Sequence, residues 1–482
     1  MKDARKFYVG GAWVNPIDGT DHHVINPSTE EPFATISLGG QADTDAAVAA
    51  AKAAFPSWAE TSKETRLGYL KKILEIYMAR AAEMGQAQSE EMGAPIDLGE
   101  GLQTIIGQVH IEAFIKTLEA FEFERPLSAD APNDRILYEP IGVCGLITPW
   151  NWPMNQVTLK VIAAMASGCT MVLKPSEESP MSALLFAEYV HEAGVPAGVF
   201  NLVNGDGAGV GSQLTAHRDV DMISFTGSTR AGKLITKSAA DTIKRVTLEL
   251  GGKGANIIFE DADDDAVARG ATHCFDNSGQ SCNAPTRMLV HRSRYDAAVE
   301  QARATAEAQK VNLASVRGAH IGPLVNEVQF NKVQDMIATG IKDGARLVAG
   351  GEGRPDGLNC GYFVRPTVFA DCTNDMTIMR EEIFGPVLSM MPFDTEDEAI
   401  AIANDTPYGL TNYVQTRDPA RANRVARKLR SGMVEMNGNF RSAAEGCPFG
   451  GYKQSGNGRE GGQWGIEEFL EVKEIGGWMP GA

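Results

Sequence analysis

The sequence predicts an α/β fold of more than one domain, and three observations carry that expectation. The chain has 482 residues, too many for a single hydrophobic core, so two or three domains are expected. From Ile141 onward, short runs rich in Val, Ile and Leu alternate with helical stretches. That is the pattern of βαβ units around parallel sheets covered on both faces. Glycine is plentiful at 51 residues, as turns and close backbone approaches require.

The elements follow in order. "YVGGAWV" reads as a hairpin, and the region from Thr44 to about residue 120 reads as mostly helical. "RILYEP" alternates like an edge strand. "IGVCGLIT" then reads as a buried strand, "QVTLKVIAAMASG" as a helix, "CTMVLKPS" as a strand and "SALLFAEYVHEAG" as a helix. "GVFNLV", "VDMISFTG" and "RVTLEL" are the next strands, with helices beginning at "GAGVGSQLTAH" and near Arg230. After Gly252 a second series starts: "ANIIFE", a helix near Asp263–Ser278, "TRMLVHR" and a helix from Tyr295. It runs on to "GMVEMN", which makes a second α/β domain. The tail "EEFLEVKEI" alternates like "RILYEP", and two such strands outside the main series point to subunit pairing.

Composition excludes several functions. A formal charge of −18 disfavours duplex nucleic acid as a partner, because no basic face could neutralise many phosphates. The N-terminus has no apolar signal region, and no apolar run reaches the length of a membrane span. The seven cysteines are odd in number and include no CxxC pair, which fits free thiols in a reducing compartment and no structural metal. A cytoplasmic protein is expected.

Ligands bind parallel sheets at the carboxyl ends of strands, so Thr148–Asn151, Lys174–Glu177, Thr226–Ser228 and Glu249–Gly252 are the segments of interest. Neither a GxGxxG fingerprint nor a Walker A sequence is present. In "FTGSTRAG", Gly227 and Ser228 open a helix whose free amides could hold a pyrophosphate, although for the motif alone an ordinary Ser N-cap is the simpler reading. In "LKPSEESP", Lys174 and Glu177 could both reach sugar hydroxyls, or form a surface ion pair. A carboxylate at Glu177 near a ribose would repel a 2′-phosphate. In "LELGGKGA", Glu249 could activate water as a base, or simply cap a backbone. Asn151 in "TPWNWP" could donate to an oxyanion, or serve as a turn residue. Cys282, in "FDNSGQSCNAPTR", sits among small polar residues; alone it fits either a nucleophile or an inert thiol.

Taken together and in this order, "TPWNWP", "KPSE", "FTGS", "LELGGK", "GQSC", "EEIFGPV" and "PFGGYKQSGNGRE" resemble the aldehyde dehydrogenase superfamily, from about Ala12 to Glu474. The resemblance implies a Rossmann-like parallel-sheet cofactor domain (1–121 and 140–251), an α/β catalytic domain (252–465) and a small β oligomerisation arm (122–139 and 466–482). It implies oxidation of an aldehyde to its acid, with Cys282 as the nucleophile and Asn151 and the Cys282 amide as the oxyanion site. Glu249 matches the general base, Glu460 matches a proton-relay carboxylate and Lys160 assists that relay. Lys174 and Glu177 match positions that bind the adenosine ribose, Gly227 and Ser228 match the pyrophosphate site at the helix start, and Phe225 and Thr226 beside them are expected among the cofactor-binding residues. Glu382 would bind the nicotinamide ribose and Phe384 would pack near the ring, while Ile147, Thr148, Trp150, Gly207 and Leu250 complete the dinucleotide groove. NAD is the expected cofactor, with NADP also open. The substrate tunnel would include Trp152, Gln156, Leu159, Asp276, Ser281, Asn283 and Phe449. Asp276 replaces an aromatic residue common in members that take aliphatic aldehydes and favours an amino aldehyde, whereas Arg441 favours an acidic semialdehyde. Glu249 disfavours the CoA-acylating branch, which lacks that carboxylate; a thiol hydrolase without redox chemistry is the other alternative. A homodimer or homotetramer acting on a small aldehyde is implied.

Overall fold

The computed structural model describes residues 1–440 and 442–479. Five parallel strands form the centre of the first sheet: β1 (Val143–Ile147), β2 (Thr170–Lys174), β3 (Phe200–Leu202), β4 (Met222–Thr226) and β5 (Arg245–Glu249). Their spatial order is β5-β4-β1-β2-β3, so the chain builds outward one way from β1 and then crosses to the other side. Each strand is a short apolar run; all five residues of β1, β2 and β4 are buried, as a sheet covered on both faces requires. The pairings Ile147↔Lys174, Ile147↔Phe225 and Thr226↔Glu249 align the carboxyl ends of β1, β2, β4 and β5 in one row. This row lies at the point where strand order reverses, the place such sheets reserve for ligands.

The hairpin expected at "YVGGAWV" forms between Phe7–Val9 and Ala12–Val14, and it extends this sheet antiparallel to β3 through Leu202↔Tyr8. A second addition was not legible in the sequence. Gly456–Asn457 pairs antiparallel with β5, so the chain returns from the second domain to the first well before residue 465. Ile466, Phe469 and Leu470 likewise pack into the first core, and the helix Gly462–Glu468 belongs to the body, not to the arm.

The second sheet contains β6 (Ala255–Ile258), β7 (Arg287–His291), β8 (Thr367–Ala370), β9 (Val387–Phe393), β10 (Thr411–Gln415) and β11 (Met433–Met436). These are parallel in the order β8-β9-β7-β6-β10-β11, with Arg346–Ala349 added antiparallel outside β8. The register Ala255↔Arg287 brings the starts of β6 and β7 level. Only Leu250–Gly254 separates the end of β5 from the start of β6. The carboxyl edge of one sheet therefore meets the amino edge of the other.

The N-terminal region is helical from Gln41, but Thr20–Asn26 and Glu31–Leu38 precede it as a hairpin that the sequence reading lacked. The two lone strands expected at "RILYEP" and "EEFLEVKEI" pair with each other: Ala131–Pro140 joins Leu470–Ile475 on one side and Glu124–Ser128 on the other. Among the described residues, no helix is long and apolar enough to cross a membrane.

Candidate active site

Cys282 lies in the loop between the helix Ala266–Phe275 and β7, and it is partly exposed. The loop begins with a tight turn in which Asn277, Ser278 and Gly279 all have positive φ (51°, 58° and 72°). Two consecutive non-glycine residues in that region are strained, so the surroundings must hold them. They do: Asn277 Nδ2 donates to the Asn151 carbonyl at 3.0 Å, Ser278 Oγ donates to Gly322 O at 2.8 Å, and Gln280 Oε1 accepts from the Val325 amide at 3.0 Å. At Gly279 a side chain is impossible, since a Cβ would lie 2.1 Å from the carbonyl of Gly385.

Asn151 sits just past β1, buried, and its Nδ2 donates to the Gln280 carbonyl at 3.0 Å, two residues from Cys282. An amide nitrogen carries two protons, so a second N–H remains for a ligand oxygen. Gln103 Nε2 fixes the Asn151 backbone by donating to its carbonyl at 3.1 Å. Trp152 Nε1 donates to Ser281 Oγ at 2.9 Å, tying the neighbouring turn to the same loop. Gln156 and Leu159 follow on the buried helix Pro153–Ser167, and Ser281 and Asn283 flank Cys282 with partial exposure.

Glu249 ends β5 and is buried, and neither carboxylate oxygen has a hydrogen-bond partner. Burial, and then the charge of Glu460, raise its pKa well above the ordinary carboxyl value, while Lys160 opposes the rise. Lys160 Nζ donates to Glu460 Oε1, and Glu460 is locked to Phe449 by paired backbone hydrogen bonds of 2.8 Å each. Lys160, Glu249 and Glu460 thus form one buried charge cluster, and the loop bearing Glu460 and Phe449 packs on Glu249 through Gly450, where a Cβ would meet Oε1 at 2.7 Å. Ser455 clamps the connection to β6, with its Oγ donating to Gly251 O at 2.6 Å.

The row of strand ends continues away from this cluster. Lys174 Nζ meets Glu177 Oε2 at 3.1 Å, with the lysine buried and the glutamate partly exposed. Ser228 caps the helix Thr229–Ala239, accepting from the Ala231 amide at 3.2 Å, and exposed Gly207 opens the helical turn after β3. Thr226 Oγ1 is buried without a partner in the same row, beside Phe225. Ile147, Thr148 and Leu250 are buried around it. Glu382 Oε1 accepts from the Gly252 amide at 2.9 Å; its pKa is raised by burial and pulled back by that bond. A Cβ on Gly251 would sit 2.2 Å from Glu382 Oε2. Phe384 crosses Trp150 edge-on at 5.5 Å, held by Gln329 Nε2, which donates to the Phe384 carbonyl at 2.7 Å.

Several residues of the site were absent from the sequence reading. Gln103, Asn277 and Gln280 hold Asn151 and the Cys282 turn, yet amides in helices and turns carry no signal of such a role. Lys253 was visible in "LELGGKGA"; its Nζ is buried with no partner, and burial pulls its pKa down to about 7. Arg441 lies outside the described residues. A large cavity of about 1020 Å³ opens elsewhere, against Lys2, Trp13 and Leu184, and none of the candidate site residues lines it.

A partly exposed thiol on a strained loop, an amide donor beside it and a buried carboxyl whose oxygens have no hydrogen-bond partner thus lie near the switch point of a parallel sheet. The Aldehyde dehydrogenase family signature matches residues 13–475. The chain is 50% identical over 480 residues, 99% of both chains, to 3-succinoylsemialdehyde-pyridine dehydrogenase of a Pseudomonas species. The crystal structure of aldehyde dehydrogenase from Bartonella henselae superposes with a TM-score of 0.98 at 58% identity, covering 99% of this chain and 100% of that one. A variant of aldehyde dehydrogenase C from Pseudomonas syringae, solved with NAD+ and octanal, gives 0.97 at 49% identity, covering 99% and 98%. The chain belongs to the aldehyde dehydrogenase family, and it is an enzyme of aldehyde oxidation.

Proposed function

We propose that the enzyme oxidises a small aldehyde to its carboxylic acid with NAD, through an acyl group carried on Cys282. The observation that carries this reading is the meeting of the two sheet edges: the Asn151 amide reaches the Cys282 loop through the Gln280 carbonyl, and Gly252, three residues past Glu249, packs so closely on the same loop that a Cβ there would lie 2.4 Å from the Cys282 carbonyl oxygen. Cys282 attacks the carbonyl carbon as a thiolate, and the carbonyl oxygen becomes an oxyanion. The Asn151 amide and the Cys282 N–H stabilise that charge without reorganising, since the turn is already fixed by Asn277, Ser278 and Gln280. Bound NAD supplies the hydride acceptor that converts the thiohemiacetal to a thioester. Glu249 then takes a proton from water, the resulting hydroxide attacks the thioester carbon, and the carbon–sulfur bond breaks to release acid and thiolate. Glu460 and Lys160 take that proton onward through the buried cluster.

The groove fits a dinucleotide. Lys174 and Glu177 would hold the adenosine ribose, the helix start at Gly227 and Ser228 the pyrophosphate, and Glu382 the nicotinamide ribose, with Thr226 offering an unpaired buried hydroxyl. A carboxylate at Glu177 favours NAD over NADP. The relatives act on or bind different aldehydes, a pyridine-bearing semialdehyde in one and octanal in another, so the reaction class is carried over and the substrate is not. Aldehyde-dependent formation of NADH by the wild type, absent in Cys282→Ala although that variant still binds NAD, is the expected result. Wild-type rates in Cys282→Ala would remove the thiol from the mechanism.

A further inference from the structure

Beside the Cys282 loop is a cavity of about 260 Å³ that no step above uses. The loop forms part of its wall: Asp276 and Pro285 line it, and the Tyr413 hydroxyl, also in the lining, donates to the carbonyl of Asn283. Three rings surround the space. His273 meets Tyr413 edge-on with centroids 5.3 Å apart, and meets Phe440 at 5.9 Å. Burial pulls the His273 pKa down to about 4, so near neutral pH this ring is uncharged. Phe440 is 74% exposed, which leaves its ring open to a ligand.

The charges in the lining are unequal in availability. Arg269 is spent on Asp263, at 3.1 and 2.8 Å, and on Gln415 at 3.0 Å. Glu435 adds a second carboxylate to the lining. Asp276 is accessible, yet enclosed enough that desolvation pushes its pKa up to about 6. Among the described residues no donor meets its carboxyl group. An accessible carboxylate without a partner, ringed by π faces, is complementary to a positive charge with an apolar skin.

We infer that this cavity seats the far end of the aldehyde and selects substrates that end in a cationic nitrogen. The inference rests on Cys282 as the reacting group, because the cavity shares its loop. Asp276 pairs with the cation, and Tyr413, His273 and Phe440 take its methylene or methyl groups. The opposite cue in the sequence, Arg441, predicts a carboxylated substrate instead.

The test compares kcat/KM for 4-(trimethylammonio)butanal, its neutral isostere 5,5-dimethylhexanal and succinic semialdehyde, in wild type, Asp276→Asn and Asp276→Glu. The same cation and isostere are titrated calorimetrically into Cys282→Ala enzyme, which reports binding without turnover. The wild type should prefer the cation over its isostere by about tenfold or more, a gap of the size that charge pairing plus cation–π contact supplies. Asp276→Glu should keep that preference and Asp276→Asn should lose it, in turnover and in binding alike. Equal use of cation and isostere, a preference for succinic semialdehyde, or an undiminished preference in Asp276→Asn overturns the inference. Tighter binding of the cation with no turnover of any aldehyde would uphold the cavity assignment and overturn the proposed reaction instead.

Discussion

Glu249 is held as an acid longer than an ordinary glutamate, because burial and the neighbouring Glu460 both disfavour its charge. Only the ionised form accepts a proton from water, so thioester hydrolysis should accelerate as pH rises through the raised pKa. Pre-steady-state turnover of Glu249→Gln should lack that limb. The same shift has a stability sign. Between the unfolded and the folded pKa the native protein binds the extra proton, so stability falls as pH rises through that window. Thermal melts of Glu249→Gln should therefore decline less from acidic to alkaline pH than those of wild type; parallel declines would contradict the shift. Glu177→Ser should narrow the preference for NAD over NADP by about tenfold, the scale of one lost charge repulsion, as read from the ratio of kcat/KM values. At this scale the candidate residues were legible in the sequence, because Cys282, Glu249 and Asn151 stand at strand ends or in loops beside small residues. Their supports were not. Gln103 reaches the Asn151 carbonyl from 48 residues away, and no local pattern encodes such a pairing.

The elements hold the site through a few buried polar joints. Arg287, the first residue of β7, is fully buried, and its guanidinium donates to the carbonyls of Lys253, Ile402 and Ala403 at 2.9–3.0 Å. It thus ties the starts of β6 and β7 to the last turn of the helix Glu396–Asn404, where a positive charge is favourable. Arg287→Met should cost about 3–5 kcal/mol in denaturant unfolding, since three buried acceptors lose their partner; a loss below about 1 kcal/mol would mean water replaces it. The parallel strands were legible because strands buried on both faces are continuous apolar runs. The hairpin Thr20–Leu38 was missed because its first strand, "TDHHVIN", is largely polar, with Val24 its single buried residue. Gly456–Asn457 was missed because a two-residue strand has no periodicity to read.

For the whole molecule, the division into two halves follows from two sheets joined at Leu250–Gly254, with the tail returning to the first. The small sheet of Glu124–Ser128, Ala131–Pro140 and Leu470–Ile475 projects Leu127 and Val472 at 48% and 64% exposure. Apolar side chains on an outlying sheet fit a surface covered by a second subunit. Light scattering should give a dimer or tetramer for the wild type and a smaller species for Val472→Asp; a monomeric wild type would contradict the arm's assignment. The central claim is that the acyl group passes through Cys282 and leaves by way of Glu249. Rapid mixing of Glu249→Gln enzyme with NAD and a saturating aldehyde, followed by acid quench and peptide mass analysis, tests it most directly. A burst of NADH of about one equivalent per subunit is expected, with the acyl mass on the peptide containing Cys282. No burst, or acylation at another cysteine in its place, would contradict it.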